Sequence, residues 1–272
     1  MTEDLLRQRM VPHAGTYCRE LPVSIERLYE NAIDWEHLPY LHRNSFAQIE
    51  CADAGVWGFR ARVWPQPYNE RRSVVIEQRL DRELRRWITS TIDGPGTGTE
   101  VWTHAFSLAE RQTLVVVDFF VPGAAETAAA RLRDYYQRLY AQLYDEDVAM
   151  MTVRQTALDH IGAGQTSGKA TREVIGEIAE LREQLPLETD FAGMRFKIIE
   201  LDGKLVAFSA RCAHLMGPLG EGRIEGGVVE CPWHGYRFDI RNGECISGAA
   251  CRLAPAPTVK IDSDGKVVLE TT

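Results

Sequence analysis

The sequence predicts two domains: an α+β domain in which a long antiparallel run is flanked by helices, then a smaller domain built around a metal site. Three observations carry that expectation. The hydrophobic period is helical up to Pro39, alternates from Phe46 to Phe120 and turns helical again from Ala124. A Gly/Ser-rich stretch, His160-Ile-Gly-Ala-Gly-Gln-Thr-Ser-Gly168, then interrupts the chain as a linker. Beyond it, Cys212-Ala-His214 and Cys231-Pro-Trp-His234 stand sixteen residues apart, each half offering one thiolate and one imidazole. At 272 residues and 44% hydrophobic, the chain is long enough to bury a sizeable core, and two domains are the natural division.

In chain order, Gly15 to Leu21 is a first strand, and Ser24 caps a helix expected from Ile25 to about Pro39, with Ile25, Leu28 and Ile33 on its buried face. Six β-rich runs follow: Phe46 to Cys51, Val56 to Val63, Ser73 to Leu80, Leu84 to Ile92, Glu100 to Phe106 and Thr113 to Phe120. Turn signals such as Asp53-Ala-Gly55, Pro65-Gln-Pro67 and Asp93-Gly-Pro-Gly96 separate them, which makes a meander. Pro122-Gly123 closes the last strand, and Ala124 to about Leu158 is one long helix. This order is similar to the helix-grip (START-like) fold, in which a curved sheet wraps the last helix and leaves a pocket between them. The expected boundaries are 1–158 for this domain, 159–177 for the linker and 178–272 for the second domain, with a short helical piece near Arg172 to Leu185.

Two Cys/His pairs can hold zinc. Their order here also lets one iron take both thiolates and a second iron both imidazoles. Turn formers flank the ligands, in His214-Leu-Met-Gly217-Pro and Cys231-Pro232-Trp-His234-Gly235, so two loops can fold over a cluster. On these residues the chain resembles the Rieske iron-sulfur family, with the signature C-x-H-x16-C-x-x-H intact. The resemblance implies an all-β domain holding a [2Fe-2S] cluster on Cys212, His214, Cys231 and His234. High-potential members carry an extra cysteine in each loop, paired as a disulfide, and two hydroxyls that reach the sulfurs. This chain has no such cysteines, and the hydroxyl positions are Tyr236 and Phe238. A low-potential cluster of ferredoxin or oxygenase type is implied.

A second constellation is Asn31-Ala-Ile-Asp34-Trp-Glu-His37-Leu-Pro-Tyr-Leu-His42. On a regular helix two histidines five apart point about 140° from each other. Pro39 disrupts that helix and lets the chain bend after His37, bringing His42 beside it. Asp34 shares the face of His37 and can orient its imidazole. Two ordinary histidines near a helix end are the alternative. On the long helix, an apolar stripe of Leu132, Tyr136, Leu139, Leu143, Met150 and Met151 contains Asp147 where an apolar residue is due, whereas Asp145 and Glu146 fall on other faces. A buried carboxylate is costly unless it is paired or holds a metal; a helix emerging into solvent there is the other reading. Two imidazoles and a carboxylate make the facial triad of non-haem Fe(II) oxygenases.

Together the constellations resemble the Rieske non-haem iron oxygenases, with Asn-x-x-Asp-x-x-His-x-x-x-x-His at 31–42 and Glu146-Asp147 matching the later helical motif, although in that family the Rieske domain ordinarily comes first. The resemblance implies mononuclear Fe(II) on His37, His42 and Asp147, with Asp34 as the bridge from a Rieske histidine. It implies a small-molecule substrate with O2, a ferredoxin or NAD(P)H-dependent reductase as electron donor, and a homo-oligomer, ordinarily a trimer. Trp57, Trp64, Phe106 and Phe119 are candidates for lining an apolar pocket, although aromatics in strands are more often plain core; Arg60 and Arg62 are expected to face solvent. The net charge of −8 argues against nucleic acid. The start, Met1-Thr-Glu-Asp-Leu-Leu-Arg, has no signal-peptide run and no segment is long enough to span a bilayer, so a cytoplasmic protein is expected, with Cys18, Cys51, Cys245 and Cys251 as small buried or half-buried thiols. Two other readings remain: a Rieske electron-transfer protein fused to an iron-free ligand-binding module, and a non-redox binding protein with a structural cluster.

Overall fold

The computed structural model describes residues 11–123, 126–164 and 171–271. The expectations for the N-terminal seven residues, for the helix start at Ala124 and for linker residues 165–168 lie outside them. The chain divides into two compact units, Met1–Thr152 and Val153–Thr272.

In the first unit, alternating residues produce seven antiparallel strands: β1 (His13–Leu21), β2 (Phe46–Gly55), β3 (Gly58–Pro65), β4 (Val74–Asp81), β5 (Arg86–Asp93), β6 (Glu100–Ala109) and β7 (Gln112–Phe120). Six pair as a meander, and β1 closes the far edge on β7, giving the order β1-β7-β6-β5-β4-β3-β2. Bulges in β2, between Cys51 and Asp53, and in β6, between Ser107 and Ala109, bend their strands. The first of these carries Asp53-Ala-Gly55 into β2, so the expected turn there moves to Val56-Trp57. The long helix (Glu126–Gly164) lies against this sheet. Its Tyr144 and Met151, with Tyr136, Tyr140 and Val148, pack on Tyr17, Val101, Ala105, Val115, Val117 and Phe119. Phe119 stacks on Tyr136 at 4.5 Å between ring centroids. A large sheet gripping one helix is the arrangement the sequence implied.

The first helix differs from expectation. The helix α1 (Ile25–Ile33), capped by Ser24, stops at Asp34, whose ψ of 78° leaves the helical region. A 3-10 turn (Trp35–His37) follows, then the short α2 (Leu38–Leu41). The bend therefore precedes His37. Pro39 sits in the first turn of α2, where its missing N–H costs nothing. The long helix is α3. Cys18 is exposed, contrary to expectation, because it lies on the outer side of β1; Cys51, Cys245 and Cys251 are half-buried.

The second unit is built from short strands. The stretch 172–185, expected to be helical, is a strand followed by a helix: β8 (Arg172–Glu177) and α4 (Ile178–Glu183). β8 pairs with β16 (Lys266–Glu270), which also pairs with β15 (Thr258–Ile261). A second sheet holds β9 (Leu187–Phe191), β10 (Met194–Leu201) and β11 (Lys204–Ser209). A third holds β12 (Arg223–Glu225), β13 (Val228–Glu230) and β14 (Arg237–Asp239). Phe196, Ile198, Val267 and Leu269 share a core with Leu181 and Phe191. Among the described residues, no helix is long and apolar enough to cross a membrane.

Candidate metal centres

In the first unit, the break at Asp34 turns the following residues so that His37 and His42 face the same point. Their Nε2 atoms lie 3.2 Å apart, and both rings are buried. Asp147 reaches that point from α3, its Oδ1 lying 3.1 Å from His42 Nε2 and 3.5 Å from His37 Nε2. One donor atom from each of the three residues lies within 4.8 Å of the others. This is a convergence of two imidazoles and a carboxylate at 3%, 2% and 8% exposure, so Asp147 has not emerged into solvent.

Side chains behind the donors hold them. Asn31 Nδ2 donates to Asp147 Oδ1 at 3.0 Å. Asp34 Oδ2 stands 3.5 Å from His37 Nδ1. Glu146 Oε2 stands 2.6 Å from His42 Nδ1, which corrects the expectation that Glu146 turns to another face. Burial alone would lower the His42 pKa; its hydrogen bonds to Asp147 and Glu146 outweigh that and raise it. Asn31 and Glu146 are thus functional-site residues that pattern reasoning did not single out, although both stand in the two matched motifs.

Beside these donors is a cavity of about 140 Å3, walled by Trp35, Phe46, Phe59, Ile76 and Trp87, with Gln78, Thr89, Thr103 and Tyr144 as its polar groups. Gln78 is already engaged, donating to the Ala32 carbonyl and accepting from Thr89 Oγ1 at 2.9 Å. Burial pushes the Tyr140 and Tyr144 hydroxyls above the ordinary phenol value. Trp57, Trp64, Phe106 and Phe119 do not line this cavity: Trp64 and Phe119 are core, the alternative for them, and Phe106 is 43% exposed. Arg60 and Arg62 are exposed, as expected.

In the second unit, two turns present the other donors. The Cys212 N–H donates to the Gly217 carbonyl at 2.9 Å, and the Met216 N–H to the Cys212 carbonyl at 3.1 Å. The second turn repeats this, with the Cys231 N–H on the Tyr236 carbonyl at 2.8 Å and the Gly235 N–H on the Cys231 carbonyl at 2.9 Å. Both turns require a left-handed residue, Met216 at φ 60° and Gly235 at φ 68°. The thiols of Cys212 and Cys231 meet, and the rings of His214 and His234 lie 4.6 Å apart between centroids. The hydrogen bond from Cys212 pushes the Cys231 thiol down despite its burial, with His234 adding to the effect, and Cys212 is held up in turn. Tyr236 packs on the His214 ring at 4.6 Å between centroids, and Phe238, the central residue of β14, is fully buried. A Cβ on Gly217 would stand 2.9 Å from the Trp233 ring and 3.1 Å from Cys231 Sγ, so glycine alone leaves room for the two turns to close. Two thiols on one side and two imidazoles on the other are the donors a [2Fe-2S] centre with mixed ligation takes.

Residues 171–258 match the Rieske [2Fe-2S] domain family. Methylxanthine N1-demethylase NdmA of Pseudomonas putida is 32% identical over 78 residues, which are 28% of this chain and 22% of that protein. The ferredoxin component of a naphthalene 1,2-dioxygenase system, also of Pseudomonas putida, is 26% identical over 86 residues, 32% of this chain and 83% of that protein. The chain thus spans about a fifth of the demethylase's length. Among solved structures, the Zhui aromatase/cyclase from Streptomyces sp. R1128 aligns with a TM-score of 0.42 at 14% identity, covering 53% of this chain and 95% of that one. The C-terminal unit therefore carries a Rieske domain, with Cys212, His214, Cys231 and His234 positioned to hold its cluster.

Proposed function

We propose that the chain is a Rieske-type non-haem iron oxygenase that hydroxylates or demethylates a small organic molecule. One observation carries this reading: His37, His42 and Asp147, from segments more than a hundred residues apart, converge on one buried point beside a cavity. A buried carboxylate facing two buried imidazoles is costly unless the charge is paired or holds a cation, and a cation satisfies all three inward atoms at once. The set fits Fe(II), which takes two imidazoles and a carboxylate and keeps positions open. Iron held by His37, His42 and Asp147 would supply dioxygen activation, drawing electrons from a cluster that Cys212, His214, Cys231 and His234 would hold.

The remaining work falls to the chain. Glu146 accepts from the outer nitrogen of His42, which turns its Nε2 lone pair inward, and the Asp34 carboxylate stands 3.5 Å from the outer nitrogen of His37. Asn31 holds the Asp147 carboxylate in place. The cavity, at about 140 Å3, suits a substrate no larger than a small ring system. The charged groups among the described residues of its lining include the carboxylates Asp34 and Asp147, which favour a substrate uncharged or cationic at the end it inserts. A ferredoxin or an NAD(P)H-dependent reductase supplies the electrons, and the active form is a homo-oligomer.

A second reading rests on the ferredoxin relative, of which the match covers 83%: the Rieske domain would carry electrons while the first unit binds a ligand without iron. Iron and acid-labile sulfide counted on anaerobically purified protein separate the two. The oxygenase reading expects one iron per chain beyond the cluster pair, lost alone in His37→Ala. Wild type that carries only the cluster after Fe(II) is supplied overturns it.

A further inference from the structure

Two cysteines of the second unit take no part in the cluster motif. After β14 the chain turns back on itself, and Glu244 pairs with Arg252 in an antiparallel bridge. The next position in that register opposes Cys245 to Cys251, and the Cys245 N–H donates to the Cys251 carbonyl at 3.4 Å. Residues opposed in this way have Cα atoms about 4.5–5.5 Å apart, inside the span of about 4.4–6.8 Å that a disulfide bridges. The two thiols are near enough for each to act on the other's ionisation. Both residues are half-buried, so a small oxidant reaches them. The loop they close is laced to the strand that leaves the second ligand turn: the Ile246 N–H donates to the Arg237 carbonyl at 2.8 Å, and the Arg237 N–H to Ser247 Oγ at 2.7 Å.

We propose that Cys245 and Cys251 are a reversible dithiol–disulfide pair, oxidised by hydroperoxides, whose bridge staples the 245–251 loop beside the second cluster turn. The Cys245 thiolate attacks one peroxide oxygen, breaking the O–O bond and releasing water after proton transfer; the product is a sulfenic acid. Cys251 then displaces the sulfenic oxygen as a second water and forms the S–S bond. Two thiols are oxidised by two electrons, and one hydrogen peroxide is reduced to two waters.

The test uses the full-length chain with its cluster, treated with hydrogen peroxide, alkylated with iodoacetamide and digested with trypsin. Cleavage after Arg241 and Arg252 isolates Asn242–Arg252, whose two cysteines are this pair alone. The expected peptide is lighter by two hydrogens, takes no alkyl group, and takes two after dithiothreitol. In Cys251→Ser the same dose leaves a sulfenic acid on Cys245 that dimedone traps. Three results overturn the proposal: both cysteines still take alkyl groups after peroxide, they advance to sulfinic acid without a bridged peptide, or the bridge appears only as the visible absorption of the cluster disappears.

Discussion

The two donor sets of this chain are held by opposite means. In the second unit, backbone holds the donors: each cluster turn is closed by main-chain hydrogen bonds, and a left-handed residue sets its curvature. In the first unit, side chains hold side chains, with Asn31 on Asp147, Glu146 on His42 and Asp34 on His37. A site made by turns fails when the backbone lacks room. A site made by side chains fails when an amide or carboxylate changes its chemistry.

Substitutions on each side sharpen that contrast. Cys231→Ser removes one of two thiolates and is expected to abolish the cluster, read as loss of its visible absorption, while the near-ultraviolet signal of the first unit's aromatics persists. Glu146→Gln keeps the shape beside His42 but removes the charge, and should weaken Fe(II) binding about 10- to 100-fold by titration with cluster content unchanged. A parallel fall in cluster content would break the comparison. Gly217→Ala tests the backbone side: its Cβ meets the Trp233 ring and Cys231 Sγ, and such overpacking costs about 1–3 kcal/mol, seen as a lower unfolding midpoint of the Rieske domain with no effect on Fe(II) titration.

The smallest effect is expected away from both sites. Burial alone would raise the Glu77 carboxyl, but Arg79 and Arg60 outweigh it and hold it below its ordinary value. A carboxylate depressed in the folded state adds stability above its unfolded pKa, and that stability is lost as pH falls through the folded value. Arg60→Ala should therefore cost under about 1 kcal/mol at neutral pH, and nothing once Glu77 is protonated, as urea unfolding at several pH values would read.

Legibility followed the same divide. The cluster ligands were readable because Cys212 to His234 is one short stretch with turn formers beside each donor. The strands were readable from alternation, which survives because one face of the sheet packs on α3. Asp147 was readable as a charge on an apolar stripe. Glu146 was not, because helix-face arithmetic treats a side chain as a radial spoke, and here the His42 ring comes to meet it. The helix break was read at Pro39, the stronger local signal, whereas the chain leaves the helix at Asp34. β8 was read as helix because its pairing partner, β16, lies at the other end of the unit, and pairing there overrides local preference.

The wide separation of the first unit's donors also orders events in time. His42 and Glu146 are 104 positions apart, Asn31 and Asp147 are 116 apart, and β1 waits for β7 before its edge is paired. Contacts of such range close late. A nascent chain emerging from the ribosome has both histidines exposed long before the carboxylate exists, so the three-donor centre can mature only after α3 has been translated. The cluster turns, translated within moments of each other, carry no such delay.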